Sequence, residues 1–138
     1  MGLIIYAEKS NRAAQRFGQQ FDLNPADRSI ETFNSMDALA RRLRQPFSAR
    51  SRTIALFFVV DKHDLVQLHT IRDLLEDIKI LLVLPDSNPQ TLSAGHQLRP
   101  RYIGFAYSDL EDVAAVLQKM FSNAQDNSKK KKEVMHAK

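Results

Sequence analysis

The sequence predicts a single α/β domain in three layers, a doubly wound parallel sheet of five strands with helices on both faces. Three observations carry this. Five short apolar segments alternate in order with stretches of helical periodicity. The segment Thr53-Ile54-Ala55-Leu56-Phe57-Phe58-Val59-Val60 is apolar on both faces, as a central parallel strand covered by helices on each side must be. The 138 residues are 43% hydrophobic and 26% charged, which supplies apolar material for one ordinary core.

The elements follow in order. Leu3-Ile4-Ile5-Tyr6-Ala7 reads as a first buried strand. Ser10 suits an N-cap, and Ala13, Ala14, Phe17 and Phe21 then fall on one helix face until Asn24-Pro25 breaks it. Ser29 to Phe33 alternates and is β-rich, a second strand. Ser35 caps a second helix with Met36, Leu39, Ala40 and Leu43 along one stripe, and Pro46 follows its end. The third strand, residues 53–60, is closed by Asp61. A third helix near 63–78 aligns Leu68, Ile71, Leu75 and Ile78. Lys79 to Leu84 is a fourth buried strand, stopped by Pro85. Asn88-Pro89 reads as an N-cap followed by Pro at the first helical position of a short helix, with Gly95 near its end. Tyr102 to Ala106 is the fifth strand. Ser108-x-x-Glu111 is a capping box opening a fifth helix, on which Leu110, Val113, Ala114, Leu117 and Phe121 share a face. Such alternation requires crossover helices, and for five units the flavodoxin-like order 2-1-3-4-5 is predicted.

Composition narrows the function classes. With no Cys there is no disulfide, thiolate metal site or thiol nucleophile. No apolar run approaches the roughly 20 residues that span a membrane. The opening residues have neither a basic n-region nor a small-residue cleavage site, so a cytoplasmic protein is expected. Basic residues outnumber acidic ones by 20 to 16, but the excess is concentrated from Ser122 onward, a polar segment with Lys129, Lys130, Lys131 and Lys132 in succession. The division is therefore a domain over 1–121 and a disordered basic tail over 122–138, and the high isoelectric point says little about the folded body. No G-x-G-x-x-G, G-x-x-x-x-G-K-[ST] or G-x-S-x-G is present, and four glycines in all leave no phosphate-cradling loop of those types.

In a doubly wound sheet the working crevice lies beyond the carboxyl ends of the strands, where the order reverses between strands 1 and 3. There the sequence offers Ala7-Glu8-Lys9, Asp61-Lys62-His63-Asp64, Pro85-Asp86-Ser87 and Tyr107-Ser108-Asp109. With its five βα units, an acid just past strand 1 and an Asp closing an apolar strand 3, the chain resembles a response-regulator receiver domain over roughly residues 3–121. The resemblance implies a phosphoacceptor at Asp61 and a Mg²⁺ held by Glu8 and Asp61. It also implies a contact surface on helix 4, strand 5 and helix 5, with Tyr102, Phe105 and Tyr107 as aromatic candidates. The match is partial. Ala7 stands where the family has a second acid, Leu84-Pro85 brings no hydroxyl to the end of strand 4, and Phe105-Ala106-Tyr107 brings no Lys to the end of strand 5. Lys9 or Lys62 could replace that cation. Missing charges of this kind each remove a few kcal/mol of transition-state stabilisation.

The expected function is thus that of a degenerate receiver, a pseudo-receiver. It would be a signalling module in a bacterial two-component setting, acting by contact with another protein or a second copy of itself. It is not expected to be an enzyme or to need a cofactor beyond weak Mg²⁺. Asp61 taken alone also suits a cap of the third helix, and Glu8 a solvated loop acid. One rival is a conventional phosphoacceptor using Asp61. Another is a nucleic-acid-binding module built from Arg41, Arg42, Arg44, Arg50 and Arg52 with the lysine tail; helix-dipole complementarity explains part of that Arg stretch, and no aromatics interleave it. A flavin or nucleotide enzyme is a third. His63 and His69 are too far apart for a helical metal pair, although Asp61, His63 and Asp64 are close enough in sequence for an adventitious divalent site.

Overall fold

In this computed structural model, which describes residues 2–20, 29–45, 52–108 and 110–121, the chain runs β1 (Gly2–Tyr6), α1 (Arg12–Gln20), β2 (Ser29–Phe33), α2 (Met36–Arg44), β3 (Thr53–Phe58), α3 (Lys62–Thr70), a 3₁₀ turn (Arg72–Leu75), β4 (Lys79–Leu84), α4 (Pro89–His96), β5 (Tyr102–Phe105) and α5 (110–121). All the strands are parallel, in the order β2-β1-β3-β4-β5. This is the flavodoxin-like sheet that the alternation predicts.

Two apolar layers hold the sheet. On one face Leu3, Ile54, Leu56, Phe58, Leu81 and Val83 meet Ala13 and Phe17 of α1 and Val113, Leu117 and Phe121 of α5. On the other, Ile4, Tyr6, Ala55, Phe57, Leu82 and Leu84 meet Leu39 and Leu43 of α2, Leu65 and Leu68 of α3 and Leu98 after α4. Every residue of β3 is buried, so its lack of alternation follows from its place at the centre of both cores. Burying each of Ile54, Leu56, Phe57 and Phe58 contributes about 1.5–3 kcal/mol. Edge-on ring contacts, Phe17 on Phe58 at 5.6 Å and Tyr6 on Phe57 at 6.5 Å, fasten the two layers to β3. Gly95 brings α4 down onto the sheet: a Cβ there would lie 3.4 Å from the Leu82 and Leu84 methyls.

The capping chemistry follows the sequence with one shift. Ser35 and Asn88 cap α2 and α4, accepting from the Ala38 and Gln90 N–H groups. The cap of α1 is Asn11 rather than Ser10. Asn11 Oδ1 accepts from Ala14 N–H at 3.0 Å, because a turn from Glu8 to Asn11 uses Ser10 as its middle. The third helix is also shorter than its periodicity suggests. It ends at Thr70, whose hydroxyl donates to the Gln67 carbonyl at 2.6 Å and competes with the helical ladder. The 3₁₀ turn then redirects the chain so that Leu75 and Ile78 still reach the core. Phe21, Asn24-Pro25, Pro46, Arg50 and the tail over 122–138 lie outside the described residues. Among the described residues no helix is long and apolar enough to cross a membrane.

Candidate functional site

β1 lies between β2 and β3, so the strand order reverses there and the crevice opens at the carboxyl ends of β1 and β3. The pairing register fixes what stands at its rim. Tyr6 pairs with Phe57 at the end of β1, and Glu8 follows two residues later. Val59 is buried, and its N–H donates to the Val83 carbonyl at 2.9 Å, continuing the ladder to β4 past β3. Asp61 lies three residues past the end of β3.

Asp61 is the N-cap of α3. Its backbone is extended, and its Oδ1 accepts from Asp64 N–H at 3.2 Å. Asp64 completes a reciprocal arrangement: only 2% exposed, it reaches back so that Oδ2 accepts from Val60 N–H at 2.9 Å. This is a capping box with carboxylates at both positions, displaced by one residue on the return bond. The spacing Asp61-x-x-Asp64 was the sequence signal for it, and Asp64 is the rim residue whose part sequence reasoning missed. Both carboxylates lie at the positive end of α3, where negative charge is favoured.

Tyr6 lies beneath this rim. Only 2% exposed, its hydroxyl is pushed up to about 12, first by burial and then by the negative charges of Asp64, Glu8 and Asp61. It therefore stays a neutral phenol in the midst of three acids. Among the described residues no cation is ion-paired with them. Lys62 donates to Gln90 Oε1 of α4, and Lys9 is exposed, its carbonyl accepting from Gln15 Nε2 at 2.9 Å. Among the described residues no ion pair links either lysine to Glu8, Asp61 or Asp64.

A Mg²⁺ ion wants several oxygen ligands in near-octahedral array. Glu8 is half-buried and Asp61 exposed, whereas Asp64 is turned inward onto Val60. Among the described residues no three His, Asp or Glu side chains are grouped to hold a metal ion. The donor set thus fits Mg²⁺ poorly. At the end of β4, Asp86 accepts from Asn88 N–H at 2.9 Å, and Ser87 is exposed.

The remaining candidates are dispersed. Tyr102 is half-buried against the α1–α5 layer and Phe105 against the opposite layer. Tyr107 is 62% exposed and stacks on Phe105, centroids 5.6 Å apart and planes within 21°. Arg42 pairs with Glu31 at 2.7 Å, while Arg41 and Arg44 stay exposed beside a groove between α2 and α3. Lys129, Lys130, Lys131 and Lys132 lie outside the described residues.

Neither a protein-family model nor a curated protein matches the chain. Two solved structures are similar to it. One is a CpaE protein of Burkholderia thailandensis E264, provisionally assigned to pilus assembly. It is 15% identical with a TM-score of 0.61, over 88% of this chain and 98% of that one. The other is a pilus assembly-related protein of Burkholderia pseudomallei K96243. It is 14% identical with a TM-score of 0.59, over 87% of this chain and 88% of that one. At such identity the likeness is one of fold.

Proposed function

We propose that this domain is a receiver-like signalling module whose rim has given up phosphoryl transfer and which works by binding other proteins. One observation carries the reading: Asp61 caps α3 through one carboxylate oxygen, three residues past the end of β3, and among the described residues no ion pair joins it to a lysine. A phosphoacceptor needs a free carboxylate oxygen, a metal and a cation to neutralise the transferring group. Here Asp64 and one oxygen of Asp61 are engaged in holding α3 to β3, and among the described residues no ion pair brings a cation to them. From the fold likeness to two pilus assembly proteins we carry over a narrower expectation, that the partner belongs to a multi-protein assembly.

The test is beryllofluoride with Mg²⁺, followed by amide shifts in ¹H–¹⁵N spectra, on the full chain and on Asp61→Asn. The reading expects no saturable shifts around 59–64. Saturable shifts there that vanish in Asp61→Asn would overturn it in favour of a working phosphoacceptor.

A further inference from the structure

We propose that the groove between α1 and the carboxyl end of β5 is a docking site for an acidic peptide segment of a partner protein, a segment that also carries an apolar side chain. The proposal rests on the protein-contact reading above and adds the surface and the chemistry of what binds it. The groove encloses about 320 Å³ and is lined by Ser10, Arg12, Arg16, Val60, Pro85 and Tyr107, among others. Among the described residues its lining holds two cations and no acid, whereas the groove between α2 and α3 sets Asp37 beside Arg41 and Arg44.

Two independent features point to an occupant. The first is apolar exposure. Among the described residues three large apolar side chains stand out in solvent, Val60, Val66 and Tyr107, and two of them line this groove. Val60 is 40% exposed. The Tyr107 ring is 62% exposed but held in place by stacking on Phe105. An aromatic fixed in advance loses little entropy on binding, and such residues anchor interfaces. The second is a placed cation. Arg16 donates to the Ala106 carbonyl at 2.8 Å, so its guanidinium is tethered across the end of β5 with one of its donors. Its remaining donors can pair with a carboxylate in the bidentate manner natural to arginine. Arg12, one turn earlier on α1, is exposed beside the same groove. Together they favour a ligand with carboxylates spaced along a chain and an apolar group against Val60, Pro85 and Tyr107. The groove is open along its length, which suits an extended segment better than a buried cofactor.

The experiment uses the full chain and three labelled decapeptides. One interleaves Glu with Leu and Phe, one replaces each Glu by Lys, and one keeps the Glu residues but replaces the apolar ones by Ser. Binding is followed by anisotropy and mapped by amide shifts, with inorganic phosphate and AMP titrated in parallel. The Glu–Leu/Phe peptide is expected to bind best, with shifts at 10–16, 59–60 and 106–107. The double change Arg12→Glu with Arg16→Glu should weaken it by about tenfold or more, and Tyr107→Ser by roughly severalfold. Arg16→Gln, which keeps a donor for the Ala106 carbonyl, should weaken it while leaving the amide spectrum dispersed. Val66→Ser should have no effect. The proposal is overturned if no peptide binds, if the Lys peptide binds as well, or if shifts map to the α2–α3 groove or to 122–138. A stronger response to phosphate or AMP at the same residues overturns it too, and assigns the groove to small anions. The beryllofluoride experiment is decided at 61–64 by the Asp61→Asn control and the peptide experiment at 10–16 and 106–107, so this proposal and the loss of phosphoryl transfer can fail separately.

Discussion

Replacing Asp61 by Ala and by Asn separates a capping carboxylate from a reactive one, because the two roles predict opposite signs. The Asp61 oxygen satisfies the Asp64 N–H at 3.2 Å. Removing an N-cap acceptor costs about 1 kcal/mol, within a range of about 0.5–2, whereas Asn retains an oxygen and caps as well as Asp. Like-charge relief works the other way, since Glu8 and Asp64 lie on the same rim. Asp61 is exposed, so that relief amounts to a few tenths of a kcal/mol at physiological salt. The expected net for Asp61→Ala is a loss of about 0.7 kcal/mol, and for Asp61→Asn a change within about 0.5 kcal/mol. Asp64→Ala should cost more. It leaves the Val60 N–H unpaired, about 1–3 kcal/mol, and removes a favourable charge from the start of α3, about 0.3–1 kcal/mol, for a total near 2–3. With a urea slope of about 1.5 kcal/mol/M, the unfolding midpoint should fall by about 0.5 M for Asp61→Ala and by about 1.3–2 M for Asp64→Ala. Circular dichroism at several urea concentrations reads both. A midpoint that rises in Asp61→Ala, or falls equally in the Ala and Asn variants, would show that the carboxylate is not acting as the cap.

Two other consequences are open to measurement. The Tyr6 hydroxyl ionises at about 12 in the folded chain and near 10 when unfolded, so the folded state keeps its proton longer. Its contribution is therefore fully present below pH 10 and is lost as pH rises from about 10 to 12, a loss on the order of 2–3 kcal/mol. Ultraviolet titration should show a late-ionising tyrosine that is lost in Tyr6→Phe, and Tyr6→Phe should flatten the alkaline fall in stability; an unchanged end to the titration in Tyr6→Phe would contradict this. Arg99, just past α4, holds φ at 55°, a left-handed conformation that costs a side-chain-bearing residue about 1 kcal/mol and glycine almost nothing. Arg99→Gly should raise the melting temperature by about 3–5 °C and Arg99→Val should lower it, as scanning calorimetry would read.

The fold was legible because its physics is local and repetitive. A strand buried on both faces cannot alternate, and Ile54 to Phe58 do not; the helices between strands need one apolar stripe each, and α2 has it in Leu39, Ala40 and Leu43. The third helix was overextended because Leu75 and Ile78 keep helical spacing across the break, although a 3₁₀ turn delivers them to the same core. The rim was legible only in part. Sequence put Asp61 at the end of the third strand, but the position of that end depends on register, and register rests on the pairing of Tyr6 with Phe57, which no local pattern reveals. In sequence Asp64 reads only as a neighbour of Asp61 and His63 in an adventitious divalent site; its burial comes from Val60 N–H leaving the ladder and needing an acceptor. The aromatic trio divided as alternation requires, but the exposure of Tyr107 comes from the turn after β5.

Three acids whose negative charge raises the buried Tyr6 phenol need compensation, and its source determines what the rim can do. A phosphoryl-accepting rim leaves its carboxylates short of partners, so that a divalent cation is drawn in and one oxygen stays free to attack. Here the compensation comes from peptide groups. Asp64 takes the Val60 N–H, Asp61 takes the Asp64 N–H, and both lie at the positive end of α3. These partners are part of the backbone, so Asp64 and the capping oxygen of Asp61 cannot exchange them for a metal or a phosphoryl group without fraying the first turn of α3. That turn also carries Leu65 into the core, where it is fully buried, so fraying it would expose apolar surface as well. On the proposed reading the junction of β3 with α3 is a fixed joint and not a switch. A signal must then enter through surfaces that can be occupied while the joint stays intact. The α1–β5 groove meets that condition, because Arg12, Arg16 and Tyr107 are already exposed along it and belong to elements other than α3.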